Sequence, residues 1–287
     1  MSFHSFSIVI PAKNEADNLS GLLPELRQLY PNVEIIVVSD GSSDATENIC
    51  VQNKVDIIKH QYSKGNGASI KTGARAASGE IIVFMDGDGQ HKPSDVKRLL
   101  EKMDEGFDMV VGARGNESQA STGRLLANNI YNKLSSWISG HDIHDLTSGF
   151  RAVKREKFLK FLYLLPNGFS YPTTSTMAFF RAGYSITYIG IETAERLGKS
   201  HINLLKDGVR FFIIIFKIGT LYSPLKIFLP ISFGFFCVGL LYYLYTFINF
   251  HTFTNMSAVL FMTSILIFLI GLVSEQVTML IYKDSED

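Results

Sequence analysis

Two aspartates separated by one glycine, Asp86 and Asp88, are the residues of this sequence best suited to chemistry. They follow an apolar run, Glu80–Met85, and Gly87 places no bulky side chain between them. Paired carboxylates suit a hard divalent cation such as Mg²⁺ or Mn²⁺, whose remaining ligands are commonly substrate phosphates. A turn that caps the next helix explains the same residues, because Asp-Gly pairs are frequent in turns. The spacing alone leaves both interpretations open.

Two other acid-bearing loops follow apolar runs near the start of the chain. Pro11–Glu15 comes after Phe6–Ile10, and Ser39–Asp44 comes after Val33–Val38. In open α/β sheets, ligands bind beyond the carboxyl ends of the strands. Because parallel strands end at the same edge of a sheet, we expect these loops and the loop with Asp86 to line one cleft.

The alternation of strand and helix signals supports such a sheet. Short runs rich in Val and Ile predict buried strands at Phe6–Ile10, Val33–Val38, Val55–Ile58, Glu80–Met85 and Asp108–Val111. Segments compatible with helices lie between them, at Asn18–Leu29, Asp44–Val51, Ala68–Ala77 and Pro93–Glu105. This order predicts a mostly parallel α/β sheet.

The last part of the chain predicts a membrane anchor. No Asp, Glu, Lys or Arg occurs between Lys226 and Glu275. Ile227–Ile248 and Met256–Ser274 are close to the ~20 apolar residues that a spanning helix needs. The short polar segment Asn249–Asn255 joins them. We therefore expect a transmembrane hairpin.

Basic residues predict the orientation of this hairpin. Lys217 and Lys226 precede the first span, Lys283 follows the second, and the loop between them has no Lys or Arg. Because Lys and Arg are enriched on the cytoplasmic side, both termini are expected in the cytoplasm. Residues 1–7 show no charged apolar leader, which agrees with this orientation.

The segment before the hairpin, Asn203–Gly219, is apolar apart from Lys206, Asp207, Arg210 and Lys217. Its basic residues share one face of a helix, which predicts an amphipathic helix lying in the membrane interface. A core helix with one solvated face remains the alternative. The expected divisions are a catalytic domain at 1–202, an interfacial region at 203–224, and a two-span hairpin with a short tail at 225–287.

The charge balance argues against a nucleic-acid partner. Lys and Arg number 27, Asp and Glu number 27, and the net charge is zero, whereas nucleic-acid binding needs a cationic surface. Cys50 and Cys237 are the only cysteines, one in a predicted soluble helix and one in the apolar segment. We expect no disulfide between them and a reducing setting.

Three loops together resemble the signature loops of family 2 glycosyltransferases, in the branch of dolichol-phosphate mannose synthases and other polyprenyl-phosphate glycosyltransferases. The loops are Ile10–Glu15, Ser39–Thr46 and Asp86–His91. The two-span tail is similar to that of bacterial and archaeal members. The resemblance implies a GT-A, Rossmann-like nucleotide-sugar-binding domain, and it favours the metal interpretation of the aspartates. Many relatives read Asp-Ala-Asp-Leu-Gln-His in the third loop. Gly87 and Gly89 replace its Ala and Leu here, which keeps the carboxylate spacing and leaves the sugar preference in question.

The resemblance also implies roles for residues on the donor side. The implied nucleotide contacts are Pro11, Ala12, Glu15, Asp40 and Asp86, with Asp40 on the base or ribose. The implied ligands of Mg²⁺ or Mn²⁺ are Asp86, Asp88 and Gln90. The loop with Arg196, Lys199 and Ser200 is similar to one that closes over the donor diphosphate, and Arg196 is its implied phosphate clamp. A surface arginine without a partner is the alternative for Arg196.

On the acceptor side, Arg114 and Arg124 match arginines that bind the lipid phosphate in the family, and Asn128 lies one helical turn after Arg124. Surface salt bridges remain the alternative for both arginines. The segment Asp-Leu-Thr-Ser-Gly-Phe-Arg resembles the acceptor-side segment of the family. Its implied site residues are Asp145, Ser148, Gly149 and Arg151.

The resemblance predicts an inverting, single-step transfer of a hexose from a UDP- or GDP-linked donor to polyprenyl or dolichyl phosphate at the cytoplasmic face of a membrane. Such an acceptor needs no activating base, because the second pKa of a phosphomonoester is ~6. One alternative is a transferase that acts on a hydroxyl of a glycan or glycolipid, which needs a general base. Another is a non-catalytic membrane scaffold. The only tryptophan, Trp137, is not in a Gln-x-x-Arg-Trp segment, which disfavours a processive synthase.

Several features carry no assignment. His91, His141 and His144 are not assigned as bases, because one simply follows the acidic loop and the others lie in a glycine-bounded loop. The glycine-rich segment from Lys64 to Gly67 either approaches a phosphate or packs closely near the nucleotide. The base, the sugar, the metal and the lipid length stay open. A homo-oligomer is expected, since two spans are too few to enclose a lipid.

Overall fold

The computed structural model describes residues 5–115, 122–168, 170–192, 216, 217 and 219–283, with only the backbone for 122–129. The strands are β1 (Phe6–Ala12), β2 (Glu34–Asp40), β3 (Asp56–His60), β4 (Ile81–Phe84), β5 (Met109–Arg114), β6 (Arg151–Lys154) and β7 (Ile186–Ile191). The helices are α1 (Ala16–Leu29), α2 (Thr46–Gln52), α3 (Asn66–Ala76), α4 (Asp95–Asp104), α5 (Thr122–Ser139), α6 (Arg155–Leu159), α7 (Tyr171–Arg181), α8 (Pro224–Phe250) and α9 (Asn255–Tyr282).

All of these strands form one sheet, in the order β3-β2-β1-β4-β6-β5-β7. The pairings are parallel except for those of β6, which runs antiparallel to β4 and β5. The predicted mostly parallel α/β class is therefore confirmed. The antiparallel strand was not visible in the sequence pattern, because a four-residue strand gives almost no periodic signal.

Amphipathic helices cover the sheet and hold its strands in register. The buried residues of α1 recur at helical spacing, as Leu19, Leu22, Leu23 and Leu26. Those of α4 do the same, as Val96, Leu99, Leu100 and Met103. They pack into one core with strand residues such as Ile8, Ile35 and Val83. Burial of each large side chain contributes about 1.5–3 kcal/mol, so the strand ends carry firmly positioned loops.

The strand directions bring the predicted loops to one edge. Because β2, β1 and β4 are adjacent and parallel, the loops after Ala12, Asp40 and Phe84 leave from the same edge. Strand β6 is antiparallel, and its first residue, Arg151, pairs with Phe84. The segment before Arg151 therefore reaches the same edge, and so does the end of β5 at Arg114. The predicted loops therefore leave from one edge, and the antiparallel strand brings the segment Asp145–Phe150 to the same edge; that the loops line one cleft stays a prediction.

The chain separates into two compact units. One contains residues 1–134 and 141–201, and the other contains 135–140 and 202–287. In the second unit α8 and α9 form a hairpin, and by length and composition both are suited to cross a membrane. The predicted interfacial helix lies outside the described residues, apart from Phe216, Lys217 and Gly219.

The hairpin seam consists of small residues at seven-residue intervals. They are Ser232, Gly239 and Thr246 on α8, and Ser257, Ser264, Gly271 and Thr278 on α9. Ser232 and Ser264 each donate a hydrogen bond to the main-chain carbonyl of the other, over 2.9 Å. Glu275 accepts a hydrogen bond from the main-chain N–H of Leu225 in the first turn of α8. This carboxylate therefore lies at the positive end of a helix dipole, which accounts for an ionisable residue in so apolar a segment.

Candidate active site

The loop after β4 carries the two aspartates and is shaped by its glycines. A Cβ on Gly87 would lie 3.2 Å from the carbonyl oxygen of Pro11, so the loop passes close to the end of β1. Gly89 has φ +72°, a left-handed conformation that a leucine adopts only with strain. The main-chain N–H of Gln90 donates to Asp88 Oδ1 over 3.2 Å. The two positions at which this loop differs from its relatives are thus the two that the local backbone favours as glycine.

The carboxylate of Asp86 lies against the segment before β6. A Cβ on Gly149 would lie 2.6 Å from Asp86 Oδ2, so the segment Asp145–Phe150 passes close to this carboxylate, and a larger residue at position 149 would force the Asp86 side chain to move. The Asp86 side chain remains 33% exposed. On its other side, His91 Nε2 lies 3.7 Å from Asp86 Oδ2.

Arg114 and Asp145 form a two-point ion pair at this edge. Arg114 Nε donates to Asp145 Oδ2 over 2.8 Å, and its Nη2 donates to Oδ1 over 3.0 Å. The same Nη2 donates to Thr147 Oγ1 over 2.6 Å. Burial alone would raise the pKa of Asp145, but the bonds from Arg114 outweigh it and lower that pKa. Arg114 is therefore a charged, partly buried group close to the aspartates, and it holds the acceptor-side segment to the end of β5.

Arg151 acts inside the protein. It is completely buried, and its Nη1 donates to the Pro172 carbonyl, Ser175 Oγ and Thr176 Oγ1, each over 2.9 Å. Its Nη2 donates to the carbonyl of Ser148. Burial lowers the pKa of Arg151. Arg151 therefore links the segment before β6 to the start of α7. Because its guanidinium is fully enclosed, a lipid acceptor at the surface cannot contact it.

Asp40 fixes the loop between β3 and α3. It is 4% exposed, and its carboxylate is bonded to His60 Nδ1, Ser63 Oγ and the main-chain N–H groups of Lys64 and Gly65, over 2.7–2.8 Å. Burial acts to raise the pKa of Asp40, but these bonds outweigh it and lower the pKa to about 2. The predicted contact with a base or ribose stays a prediction. In the structure, the Asp40 carboxylate bonds to groups of the protein itself.

The loop after β1 is tied to the loop after β2. Asn14 Oδ1 accepts from the main-chain N–H of Ser43 over 2.8 Å, and the main-chain N–H of Glu15 donates to Thr46 Oγ1 over 3.1 Å. Pro11 and Ala12 end β1 beside Gly87. The implied nucleotide residues are therefore brought to one edge, next to the paired aspartates.

The glycine-rich start of α3 serves close packing. The main-chain N–H groups of Gly67 and Ala68 donate to the carbonyls of Gly168 and Asn167, over 3.1 and 2.9 Å. A Cβ on Gly65 would lie 2.5 Å from the Asn167 carbonyl oxygen. Main-chain carbonyls therefore occupy donors that would otherwise be open to a phosphate.

For several predicted site residues the structure describes no side chain. Arg124 and Asn128 lie on α5, where only the backbone is described. Arg196, Lys199 and Ser200 fall outside the described residues. Ser148 is 1% exposed, and no described group bonds to its hydroxyl.

Sequence reasoning missed two residues of the site. His91 is 7% exposed and stacks on Phe150, with ring centroids 4.8 Å apart, in contrast to the exposed His141 and His144. Tyr171 is 1% exposed, and its hydroxyl donates to the Gly149 carbonyl over 2.9 Å. The position of His91 after the acidic loop was the only signal for it. Nothing near Tyr171 in the sequence indicates a site.

The donor atoms near Asp86 suit a hard cation. Two carboxylates and one amide oxygen, from Asp86, Asp88 and Gln90, are oxygen ligands of the kind that Mg²⁺ and Mn²⁺ accept. Among the residues that the structure describes, no group of three His, Cys, Asp or Glu side chains forms a closed metal site. With so few protein ligands, a cation held by this set would need further ligands, such as substrate phosphates.

Comparisons with known proteins identify the family of this chain. Residues 7–162 match Glycosyl transferase family 2, and residues 223–280 match the GtrB C-terminal hairpin. A polyprenol monophosphomannose synthase from Mycolicibacterium smegmatis is 29% identical over 68% of this chain and 80% of its own. An undecaprenyl-phosphate 4-deoxy-4-formamido-L-arabinose transferase from Photorhabdus laumondii is 32% identical over 54% of this chain and 51% of its own.

The fold also has a solved counterpart. Glucosyl-3-phosphoglycerate synthase from Mycobacterium tuberculosis, crystallised with Mn²⁺, UDP and its product, aligns with a TM-score of 0.57 at 21% identity. The alignment covers 74% of this chain and 77% of that one. The chain thus belongs to glycosyl transferase family 2, with a GT-A domain followed by a GtrB C-terminal hairpin.

Proposed function

We propose that this enzyme transfers a sugar from a nucleotide sugar to a polyprenyl phosphate and so makes a polyprenyl-phosphate sugar. The observation that carries the proposal is the meeting of Asp86 and Asp88 with the Arg114–Asp145 pair at one sheet edge, in a chain that ends in two apolar helices. The names of two relatives, which act on polyprenol or undecaprenyl phosphate, support the acceptor class.

The donor binds across the loops after β1, β2 and β4. Pro11, Ala12 and Glu15 line the nucleotide pocket, and Asp40 acts there through the loop that it orders. Asp86, Asp88 and Gln90 would hold Mg²⁺ or Mn²⁺, which neutralises charge on the departing diphosphate. The Mn²⁺ in the glucosyl-3-phosphoglycerate synthase complex supports a divalent cation in this fold.

The phosphate of the acceptor is itself the nucleophile and needs no activating base. A polyprenyl phosphate is largely a dianion at neutral pH, because the second pKa of a phosphomonoester is ~6. One of its oxygens forms a bond to the anomeric carbon, and the bond from that carbon to the nucleoside diphosphate breaks, with inversion. No proton has to be removed from the acceptor.

Charge repulsion is the remaining obstacle, since both substrates are anionic. We assign Arg114, Arg124 and Asn128 to the acceptor phosphate, and Arg196, Lys199 and Ser200 to the donor diphosphate. Asp145, Ser148, Gly149 and Arg151 shape the segment between them. Because Arg114 is paired with Asp145, its guanidinium is held in a fixed orientation.

The test uses the purified full-length protein with labelled UDP- and GDP-sugars, Mn²⁺ or Mg²⁺, and undecaprenyl phosphate in detergent. We expect a charged sugar lipid that partitions into organic solvent. Asp88→Ala should abolish it, whereas Asp56→Ala, at an exposed position on the opposite sheet edge, should not. Product from undecaprenol in place of undecaprenyl phosphate would instead support a hydroxyl acceptor. Equal yields from Asp88→Ala and wild type would refute the metal assignment.

The proposed orientation places the catalytic domain and both termini in the cytoplasm. The turn between α8 and α9 then lies on the other side of the membrane. A cysteine introduced by Phe253→Cys, in a chain with Cys50 and Cys237 changed to Ala, should react with an impermeant maleimide in intact cells. Labelling only after the cells are lysed would show that the turn lies in the cytoplasm and that the proposed orientation is wrong.

A further inference from the structure

Asp86 also lines a small cavity. Its volume is about 70 Å³, and its polar lining comes from Asn66, Asp86, Thr147, Ser170 and Thr173. By the ~10–15 Å³ that one water needs, this space takes roughly five waters. That is room for one hydroxylated edge of a sugar ring.

The charge of the lining distinguishes between the possible ligands. Among the lining residues that the structure describes, Asp86 is the only one charged at neutral pH, and the others are amide, hydroxyl, glycine, proline and tyrosine. Apart from a cation held by Asp86, a phosphate dianion would meet no positive charge in this wall. A neutral polyol would meet both acceptors and donors, which its hydroxyls require.

The walls are fixed before any ligand arrives. Tyr171 donates to the Gly149 carbonyl, and the Tyr131 hydroxyl donates to Thr173 Oγ1 over 3.0 Å. Thr173 is 2% exposed, and accepting this bond leaves its own O–H free to turn to a ligand. Ser170 has φ +86°, an uncommon conformation for a residue with a side chain and one that is often kept at binding sites.

Asn66 lines the cavity as well. It is the first residue of α3, whose start is held by the carbonyls of Asn167 and Gly168. Its side-chain amide is exposed and makes no hydrogen bond to another described residue. An amide in a fixed position supplies a donor and an acceptor, as recognition of a sugar hydroxyl demands.

We propose that this cavity is the subsite for the donor sugar, and that Asn66, Ser170 and Thr173 select the sugar by hydrogen bonds to its hydroxyls. The inference rests on the proposed function, because the sugar is joined to the diphosphate that Asp86 and Asp88 help to bind. A site built to bond a hydroxyl rejects sugars in which that hydroxyl is missing or inverted.

Binding measurements separate the sugar from the nucleotide. Calorimetry on the full-length protein with Mn²⁺ first finds which of UDP-glucose, UDP-N-acetylglucosamine and GDP-mannose binds most tightly. Asn66→Ala and Thr173→Val should each weaken binding of that donor about tenfold, the effect of one lost hydrogen bond. Binding of the matching UDP or GDP alone should change less than twofold. Asn53→Ala, the same substitution at the end of α2 on the opposite sheet edge, should change neither.

Each outcome bears on the inference. If a variant binds the donor and the bare nucleotide equally more weakly, these residues contact the nucleotide and not the sugar. If both variants bind the donor as tightly as the wild type, the cavity has no role in donor binding. Either result overturns the subsite. If Thr173→Val fails to fold, Asn66→Ala at its exposed position decides alone. Selective loss of donor binding in a protein that makes no sugar lipid would keep the subsite and refute the proposed acceptor.

Discussion

Replacing Asp40 with asparagine should destabilise the catalytic domain and weaken nucleotide binding together. The carboxylate is bonded to four groups within 2.8 Å, one of them a histidine and two of them main-chain N–H groups. An amide keeps one oxygen and turns an NH₂ group toward the remaining donors. Two bonds to a charged acceptor are lost, and each such bond contributes about 1.5–3 kcal/mol before relaxation.

The lowered pKa gives a second measure of the same interactions. A shift from 3.8 to about 2 corresponds to roughly 2 kcal/mol in favour of the ionised form. Because the folded-state pKa lies below the unfolded one, this stabilisation is complete above pH ~4 and is lost as the pH falls through ~2. We therefore expect Asp40→Asn to cost about 2–4 kcal/mol at pH 7, which lowers the melting temperature of a domain of this size by about 4–15 °C.

The assay is thermal unfolding of the full-length protein in detergent, with and without the nucleotide that it binds. Asp56→Asn, at an exposed aspartate on the opposite sheet edge, is the matched control and should melt with the wild type. The nucleotide should stabilise the Asp40 variant less, because the loop from Ser63 to Gly65 is no longer held. A melting temperature within 1 °C of the wild type, with unchanged nucleotide affinity, would refute the reasoning.

Three other outcomes follow from the contacts. Arg114→Lys should lower kcat/KM at least tenfold, because a point charge replaces a guanidinium that bonds to both carboxylate oxygens. Adding Asp145→Asn should lower kcat/KM little further, since the effects of residues in direct contact are not additive. Full additivity in a double-mutant cycle would show that the two residues act separately. Burial opposes ionisation of Asp108, but bonds from two lysines and one serine lower its pKa to about 2. Asp108→Asn should therefore lower the melting temperature at pH 7, less so near pH 2, and leave kcat unchanged. In the hairpin, Ser232→Ala and Ser264→Ala should each cost about 0.6–1.7 kcal/mol, with strong coupling in a denaturation cycle in detergent.

The sequence was most informative where its signals are local. Runs of Val and Ile predicted β1 to β5 within about two residues at most ends, because a buried strand shows in its composition. The two apolar helices were evident for the same reason, although α9 continues through Glu275 to Tyr282, past the predicted end of the second span.

The site could be predicted in part. Asp86 and Asp88 could be identified because both lie in one short loop after one strand. The pairing of Arg114 with Asp145 could not, because it depends on an antiparallel strand that returns the chain to the same edge. The burial of His91 depends likewise on Phe150, which lies far away in the sequence.

The sequence by itself determined the α/β class, the acidic loops, the family resemblance and the apolar hairpin, since each of these is written in neighbouring residues. The tertiary structure alone decided that Arg151 bonds only within the protein, that Gly149 lies against Asp86, and that the other residues lining the cavity at Asp86 are uncharged. Those features depend on which distant segments meet. Strand direction and packing determine these contacts, and residue spacing along the chain does not predict them.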